Sequence, residues 1–101
     1  MSYFMYDVMG VTVEKPDPAM IERVLDGLTD ADDEHPDVSL SHENGWCLSV
    51  FTNGLLIWEN PDDDVPRPGE MRDVTRDETL RLLGLLAAGD IESIETLPWL
   101  R

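Results

Sequence analysis

Between Val38 and Glu59 the chain reads VSLSHENGWCLSVFTNGLLIWE, three short alternating runs separated by two Asn-Gly pairs. Asn-Gly between alternating apolar runs is the strongest short-range hairpin signal, because both residues take positive φ at low cost. Asn44-Gly45 and Asn53-Gly54 therefore predict a three-strand antiparallel meander. Strand side chains alternate between faces, so loop length decides which residues lie together. Two-residue loops would put Val38 and Leu40 on the side of Cys47 and Ser49, and Trp46, Leu48 and Val50 on the side of Ser39 and Ser41. Three-residue loops closed by Gly45 and Gly54 gather Val38, Leu40, Trp46, Leu48, Val50, Leu56 and Trp58 on one face. They leave Ser39, Ser41, Cys47, Ser49, Phe51, Leu55, Ile57 and Glu59 on the other. Only the second arrangement makes one side consistently apolar, and it is the register expected.

The segments around the meander read as its approach and its cover. Residues 2–14 are aromatic and β-branched and predict a first strand, bent or bulged at Gly10 and ended by Lys15-Pro16. Asp17 is placed as N-cap and Pro18 at the first position of a helix with Ile21, Val24, Leu25 and Leu28 as its apolar stripe. Residues 60–74 hold three prolines and Gly69 and read as a long loop. Thr75 and Glu78 form a capping box for a leucine-rich helix running to about Ala88 and stopping at Gly89. Residues 90–97 read as a final strand or irregular extension, with Pro98-Trp99 pinning the C-terminus. The expected order is β-α-β-β-β-α-β: a single α+β domain over residues 1–101, its antiparallel sheet centred on the meander and carrying two helices.

Twenty-two acidic residues against seven basic ones give a formal charge of −15. Such a surface repels nucleic acid and anionic lipid. It suits either general solubility, as in a saline environment, or encounter with a basic partner. No apolar run approaches the roughly 20 residues that span a bilayer. The N-terminus shows neither a basic region nor a small-residue cleavage site, and one cysteine makes no internal disulfide. A reducing cytoplasm is the expected compartment.

Few residues offer chemistry. Asp30, Asp32 and Glu34 resemble the start of a calcium loop, but His35 occupies the required glycine position and Ser41 the bidentate Glu position. Neither His35 nor His42 has metal-ligand spacing to another His or Cys. A His42–Cys47 nucleophile pair is set aside because the preferred register puts the two on opposite sides of the sheet. No glycine-rich phosphate cradle is present, and no cofactor or metal is expected. The remaining class is a binding module, in which large anchors supply energy and charges supply steering. Candidate contact residues are Asp32, Asp33 and Glu34 in the first acidic loop, Glu59, and the block Asp62, Asp63 and Asp64. Trp46, Trp58 and Trp99 are the candidate structural anchors.

The strand GLLIWEN, with its Trp58-Glu59 pair, resembles the corresponding strand in the first-numbered family of immunity proteins from bacterial polymorphic-toxin systems. A Pro-led helix, the strands GWCLSVF and GLLIW, the helix end LLGLLAAG and the terminal LPW extend the resemblance over roughly residues 16–99. The acidic segment IESIET departs from it. The resemblance implies an α+β fold and a non-enzymatic role: binding and neutralising a cognate toxin, often a nuclease or nucleic-acid deaminase with a basic cleft. Only Trp58 and Glu59 carry over from the family residue by residue. Two other classes fit the acidity, a nucleic-acid mimic that blocks a DNA-binding enzyme and a small assembly subunit with an environmentally acidic surface.

Overall fold

The computed structural model describes residues 2–63 and 67–101. Six strands form one antiparallel sheet in the order β2-β1-β3-β4-β5-β6. They are β1 (Tyr3–Tyr6), β2 (Thr12–Glu14), β3 (Asp37–His42), β4 (Cys47–Phe51), β5 (Leu56–Glu59) and β6 (Gly69–Met71), with helices α1 (Pro18–Asp26), α2 (Arg76–Ala87) and α3 (Ile91–Glu95). The α+β class and the central meander are as the sequence predicts.

The meander has the three-residue register. Leu40 faces Leu48 and Leu48 faces Trp58, while Val38 and Leu56 flank Val50. The amides of His42 and Phe51 donate to the carbonyls of Trp46 and Leu55, closing loops 43–45 and 52–54. Gly45 and Gly54 take φ of 92° and 74°, a conformation that explains why glycine ends each turn. Val38, Leu40, Leu48, Val50, Leu56 and Trp58 are all at most 3% exposed.

The helices lie against this apolar side. Asp17 Oδ1 accepts from the Met20 amide at 2.8 Å, which starts α1 as expected and directs Ile21, Val24 and Leu25 into the core. Thr75 Oγ1 accepts from the Glu78 amide at 3.2 Å. The capping box is only half made, because the Glu78 carboxylate turns to Arg81 instead, at 2.6 and 2.9 Å. Leu82, Leu83 and Leu86 of α2 are fully buried over β3 and β4.

Three segments differ from the sequence expectation. Residues 2–14 are a hairpin, not one bent strand: Asp7 Oδ1 accepts from the amides of Met9 and Val11, both at 2.9 Å, and reverses the chain before Gly10. The pattern Asp-x-x-Gly is a turn signature that outweighs the β-propensity around it. Within the expected 60–74 loop, β6 pairs with β5 through Leu56–Met71, Ile57–Glu70 and Trp58–Gly69. Pro68 precedes this strand and does not interrupt it, and Leu100 caps its outer edge through a bridge to Glu70. Residues 91–95 are helical, with Asp90 Oδ1 accepting from the Ser93 amide at 3.4 Å. Ile91 and Ile94 are three apart, a helical spacing that loose alternation had masked.

The three tryptophans form a ladder on the inner face. Trp46 stacks on Trp58 at a centroid distance of 4.5 Å, and Trp58 lies 6.2 Å from Trp99. Trp58 is wholly buried, and its Nε1 donates to Glu95 Oε1 at 2.9 Å. Glu95 in turn pairs with Arg101, whose Nε donates to the Arg67 carbonyl at 2.9 Å. Trp99 Nε1 donates to the Ile94 carbonyl at 2.8 Å. Gly69 makes room for this stack, since a Cβ there would lie 2.7 Å from Trp99 Cβ. Gly69→Ala is therefore expected to destabilise by about 1–3 kcal/mol through overpacking. Gly84→Ala, on an exposed helical position with nothing within 4 Å, is expected to stabilise by about 0.5–1 kcal/mol. Urea midpoints of the two variants check the pair, with unchanged m-values required for the comparison.

Candidate functional site

All three helices pack on one side of the sheet, leaving the other side without a helical cover. The cross-strand pairs fix its surface. One row runs Thr12, Tyr6, Ser39, Ser49, Ile57, Glu70, and the next runs Glu14, Phe4, Ser41, Cys47, Glu59. Asp37 and Phe51 pair beyond them. The strand residues of this face carry four carboxylates, Glu14, Asp37, Glu59 and Glu70, and no basic side chain. Its centre is serine-rich and half-buried, with aromatic groups toward the β1 and β4 sides.

Glu59 points outward beside Cys47, while Trp58 points into the core. Parity alone separates the two members of the pair: one anchors, the other faces solvent. Asp62 and Asp63 are exposed in the turn after β5, and Asp64 lies outside the described residues. Asn60, buried at 6% exposure, ties that turn to the β3–β4 loop. Its Nδ2 donates to the Asn44 carbonyl at 3.4 Å, its Oδ1 accepts from the Asp62 amide at 3.1 Å, and its carbonyl accepts from the Asp63 amide at 3.0 Å. Glu43, Asn44, Glu59, Asp62 and Asp63 thus gather at one end of the sheet.

The other acidic loop lies at the opposite end. Asp32, Asp33 and Glu34 precede β3, whose six residues span roughly 17 Å at 3.4 Å per step. The two acidic groups singled out by sequence are not brought together. Asp32 is occupied within its own loop: its Oδ1 accepts from the amides of Glu34 and His35 at 2.9 and 2.8 Å and meets His35 Nδ1 at 3.2 Å. The His35 amide is the main reason its carboxyl is held below the ordinary aspartate range. Asp33 and Glu34 are exposed.

Beside this second loop lie several residues that sequence reading did not assign to a site, together with Glu34. Tyr6, Asp7, Val8, Gly10, Glu34, Asp37 and Ser39 line a cleft of about 440 Å³ between the β1–β2 turn and the start of β3. Burial pushes the Asp37 carboxyl up from its ordinary value. The available signal was Asp7 three residues before Gly10, which marks a turn and so brings residues 6–11 toward β3.

Burial raises the Cys47 thiol above its ordinary pKa, the hydrogen bonds from Ser41 and Ser49 oppose that rise, and the Glu59 and Asp37 charges add to it. A thiol so placed is a poor nucleophile at neutral pH. His42 lies on the opposite, inner face at 6% exposure, its Nδ1 3.3 Å from the donating Asn44 amide and its Nε2 buried without a partner. A larger concavity of about 570 Å³ lies at another edge, floored by Leu25, Leu28, Val50 and Val74 and bordered by the Arg76–Asp26 ion pair. Among the described residues no three His, Cys, Asp or Glu side chains converge as metal ligands, and no helix is long and apolar enough to cross a membrane. Neither a scan of known protein families nor searches of curated proteins and of solved structures finds a match to this chain.

The raised Asp37 pKa has a definite sign in stability. Its ionised form is disfavoured in the folded state, so the penalty is fully present above the folded pKa. It fades as pH falls through the folded value, and it is gone below the unfolded one, where both states are protonated. Asp37→Asn is expected to raise the urea midpoint at pH 7 relative to the parent chain, and the gain is expected to shrink toward zero near pH 3. A gain that persists unchanged at pH 3 would assign the effect to packing.

Proposed function

We propose that this chain is an immunity-type inhibitor. It binds a cognate bacterial polymorphic-toxin domain, a basic nuclease or nucleic-acid deaminase, and blocks the toxin's substrate cleft with an acidic surface. The role is stoichiometric binding, carried out in the cytoplasm, with no chemistry of its own. The observation that carries the reading is the uncovered sheet face, whose strand residues present four carboxylates, of which Glu70 is paired with Arg72, in a chain of charge −15. Four of the seven basic residues already pair with carboxylates: Arg72 with Glu70 on this face, and Arg76, Arg81 and Arg101 with Asp26, Glu78 and Glu95 away from it. The field left over is therefore strongly negative, and a negative field speeds encounter with a basic cleft while rejecting nucleic acid. The Trp58-Glu59 strand and the leucine-rich helix before Gly89 supply the family resemblance on which the toxin class rests.

Co-expression with a toxin domain of that class, where one is encoded beside this chain, tests the reading. The expected result is cell survival and a complex that co-purifies at low salt. Continued lethality with no complex overturns it, and inhibition of unrelated DNA-binding enzymes at equal concentration would transfer the role to nucleic-acid mimicry. Given a complex, Asp62→Asn with Asp63→Asn is expected to slow association by roughly tenfold at low salt and to flatten its salt dependence, with dissociation near that of the parent chain. Stopped-flow association rates at several salt concentrations check this, and an unchanged rate would return the block to an ordinary solvated turn.

A further inference from the structure

The two edges of the sheet differ. On the β6 side, Glu70 exchanges backbone hydrogen bonds with Leu100 at 2.8 and 2.9 Å, so the C-terminal segment closes that edge. On the other side β2 is the last strand, and among the described residues nothing pairs with it beyond β1. Its pairing with β1 shows which groups are left over. The Asp7 amide donates to the Val11 carbonyl and the Lys15 amide to the Tyr3 carbonyl, both at 3.0 Å. Antiparallel ladders alternate, so Val11, Val13 and Lys15 turn their backbone groups toward β1 while Thr12 and Glu14 turn theirs outward. Two N–H and two C=O groups therefore stand in a row on exposed residues, a template for one more strand.

Side chains along this edge are sorted by face. Val13 stands opposite the buried Met5, so Val11 and Val13 lie on the helix side, while Thr12 and Glu14 lie on the uncovered side with Tyr6 and Phe4. Val11 is 58% exposed, and Met9 in the turn before it is 62% exposed. Sheet edges are commonly guarded by charge, by proline or by shortness. β2 is short, and Lys15 and Pro16 guard its far end, but its near end carries the bare apolar pair Met9 and Val11. The hairpin is already braced, because Asp7 Oδ1 accepts from the amides of both Met9 and Val11. Adding a strand there orders little of this chain, so the entropic cost of binding is small on this side.

We infer that the outer edge of β2 accepts a strand of the basic partner, an extended segment in which basic and apolar residues alternate. The register dictates the alternation. Partner residues that exchange hydrogen bonds with Thr12 and Glu14 place their side chains on the uncovered face, where Glu14 is the acidic neighbour and a lysine or arginine is its complement. Residues between them fall on the helix side and cover Val11 and Val13. Main-chain bonds hold such a segment, and its alternate side chains select it. A second copy of this chain fits less well, because two chains of charge −15 repel each other. The inference rests on the basic-partner reading above and adds to it the edge at which that partner is held.

The test does not need the toxin to be known. Amide shifts of the labelled full chain are followed at constant ionic strength during titration with three blocked pentapeptides. These are valine-lysine-valine-lysine-valine, its glutamate counterpart, and the lysine peptide N-methylated at both lysines. Saturating shifts at Val11, Thr12, Val13 and Glu14 are expected with the lysine peptide. Methylation removes two backbone donors and is expected to weaken binding by roughly tenfold or more. Glu14→Lys is expected to reverse the preference between the lysine and glutamate peptides. Thr12→Pro removes an outward N–H and is expected to weaken the lysine peptide as methylation does. Glu14→Lys and the methylated peptide decide the matter even if proline disturbs the hairpin. Equal responses to the methylated or the glutamate peptide, or shifts centred instead on Ser49 and Ile57, would overturn the inference. In the toxin complex, Glu14→Lys is expected to speed dissociation. Parent-level dissociation overturns the edge as the anchor while leaving the immunity reading intact, since that reading fails only if the parent chain itself forms no complex. Sedimentation of the chain alone covers the remaining occupant: self-association abolished by Thr12→Pro would assign the edge to a second copy and overturn the basic strand.

Discussion

The burial of Trp58 between Trp46 and Trp99 is the constraint on which the rest of the molecule depends. A large side chain with 0% exposure in the second-to-last position of β5 fixes which way that strand faces. Filling such a site with an aromatic ring gains about 1.5–3 kcal/mol from burial alone, and the stacking geometry adds to it. The same indole must satisfy its N–H, and Glu95 does so from α3. That requirement draws the C-terminal segment against the sheet, where Arg101 neutralises Glu95 and reaches the Arg67 carbonyl. Gly69 completes the arrangement because any larger residue would collide with Trp99. One ring thus ties β4, β5, β6, α3 and the terminus into a single unit.

Once Trp58 points inward, its neighbours have no choice. Cys47, Ser49, Ile57 and Glu59 must lie on the outer face, together with Ser39, Ser41 and Asp37 from β3. A sheet covered on one side only is ordinary for antiparallel strands, which tolerate solvent on their second face. The chemistry of that second face is less ordinary. Its serines are half-buried by their neighbours, its charged strand residues are all acidic, and its large apolar side chains stand on β1, β4 and β5 and not on the edge strands. Self-repulsion on this side opposes compaction, and the apolar ladder on the other side offsets it.

The meander was legible because two local signals agreed: Asn-Gly turns gave the loops, and alternation gave the faces. The N-cap at Asp17 and the end of α2 before Gly89 were legible for the same reason, since caps act through neighbouring residues. Elements decided at a distance were not. Gly69–Met71 has no strand pattern of its own and becomes β6 because β5 presents an open edge and Trp99 needs a glycine opposite it. Residues 91–95 are too short to show a period clearly, and docking of Ile94 into the core selects the helix. Acidic residues were easy to count and hard to place. Composition gave the charge, but the length of β3 sets Asp32–Glu34 and Asp62–Asp63 at opposite ends of the sheet. The hairpin at Asp7–Gly10 read as a bent strand, so the exposure of Met9 and Val11 was invisible.

Separation of the two acidic ends bears on how an acidic protein can be selective. A uniform negative surface attracts any basic partner and holds none in register, because long-range fields fall off over about 10 Å at ordinary salt and carry little shape. Discrimination needs short-range contacts that only one geometry satisfies. The end near Asp62 and Asp63 offers charge on exposed turn residues, suited to steering. The end near Tyr6 and Asp37 places Asp7, Glu34 and Asp37 along a cleft that Tyr6 also lines, so its charge is set in a shaped recess. The Ser-rich strands between them set the distance that separates the two ends. Because that spacing is fixed by the register of β3 and β4, the same turns that pack the core also set the ruler along the face.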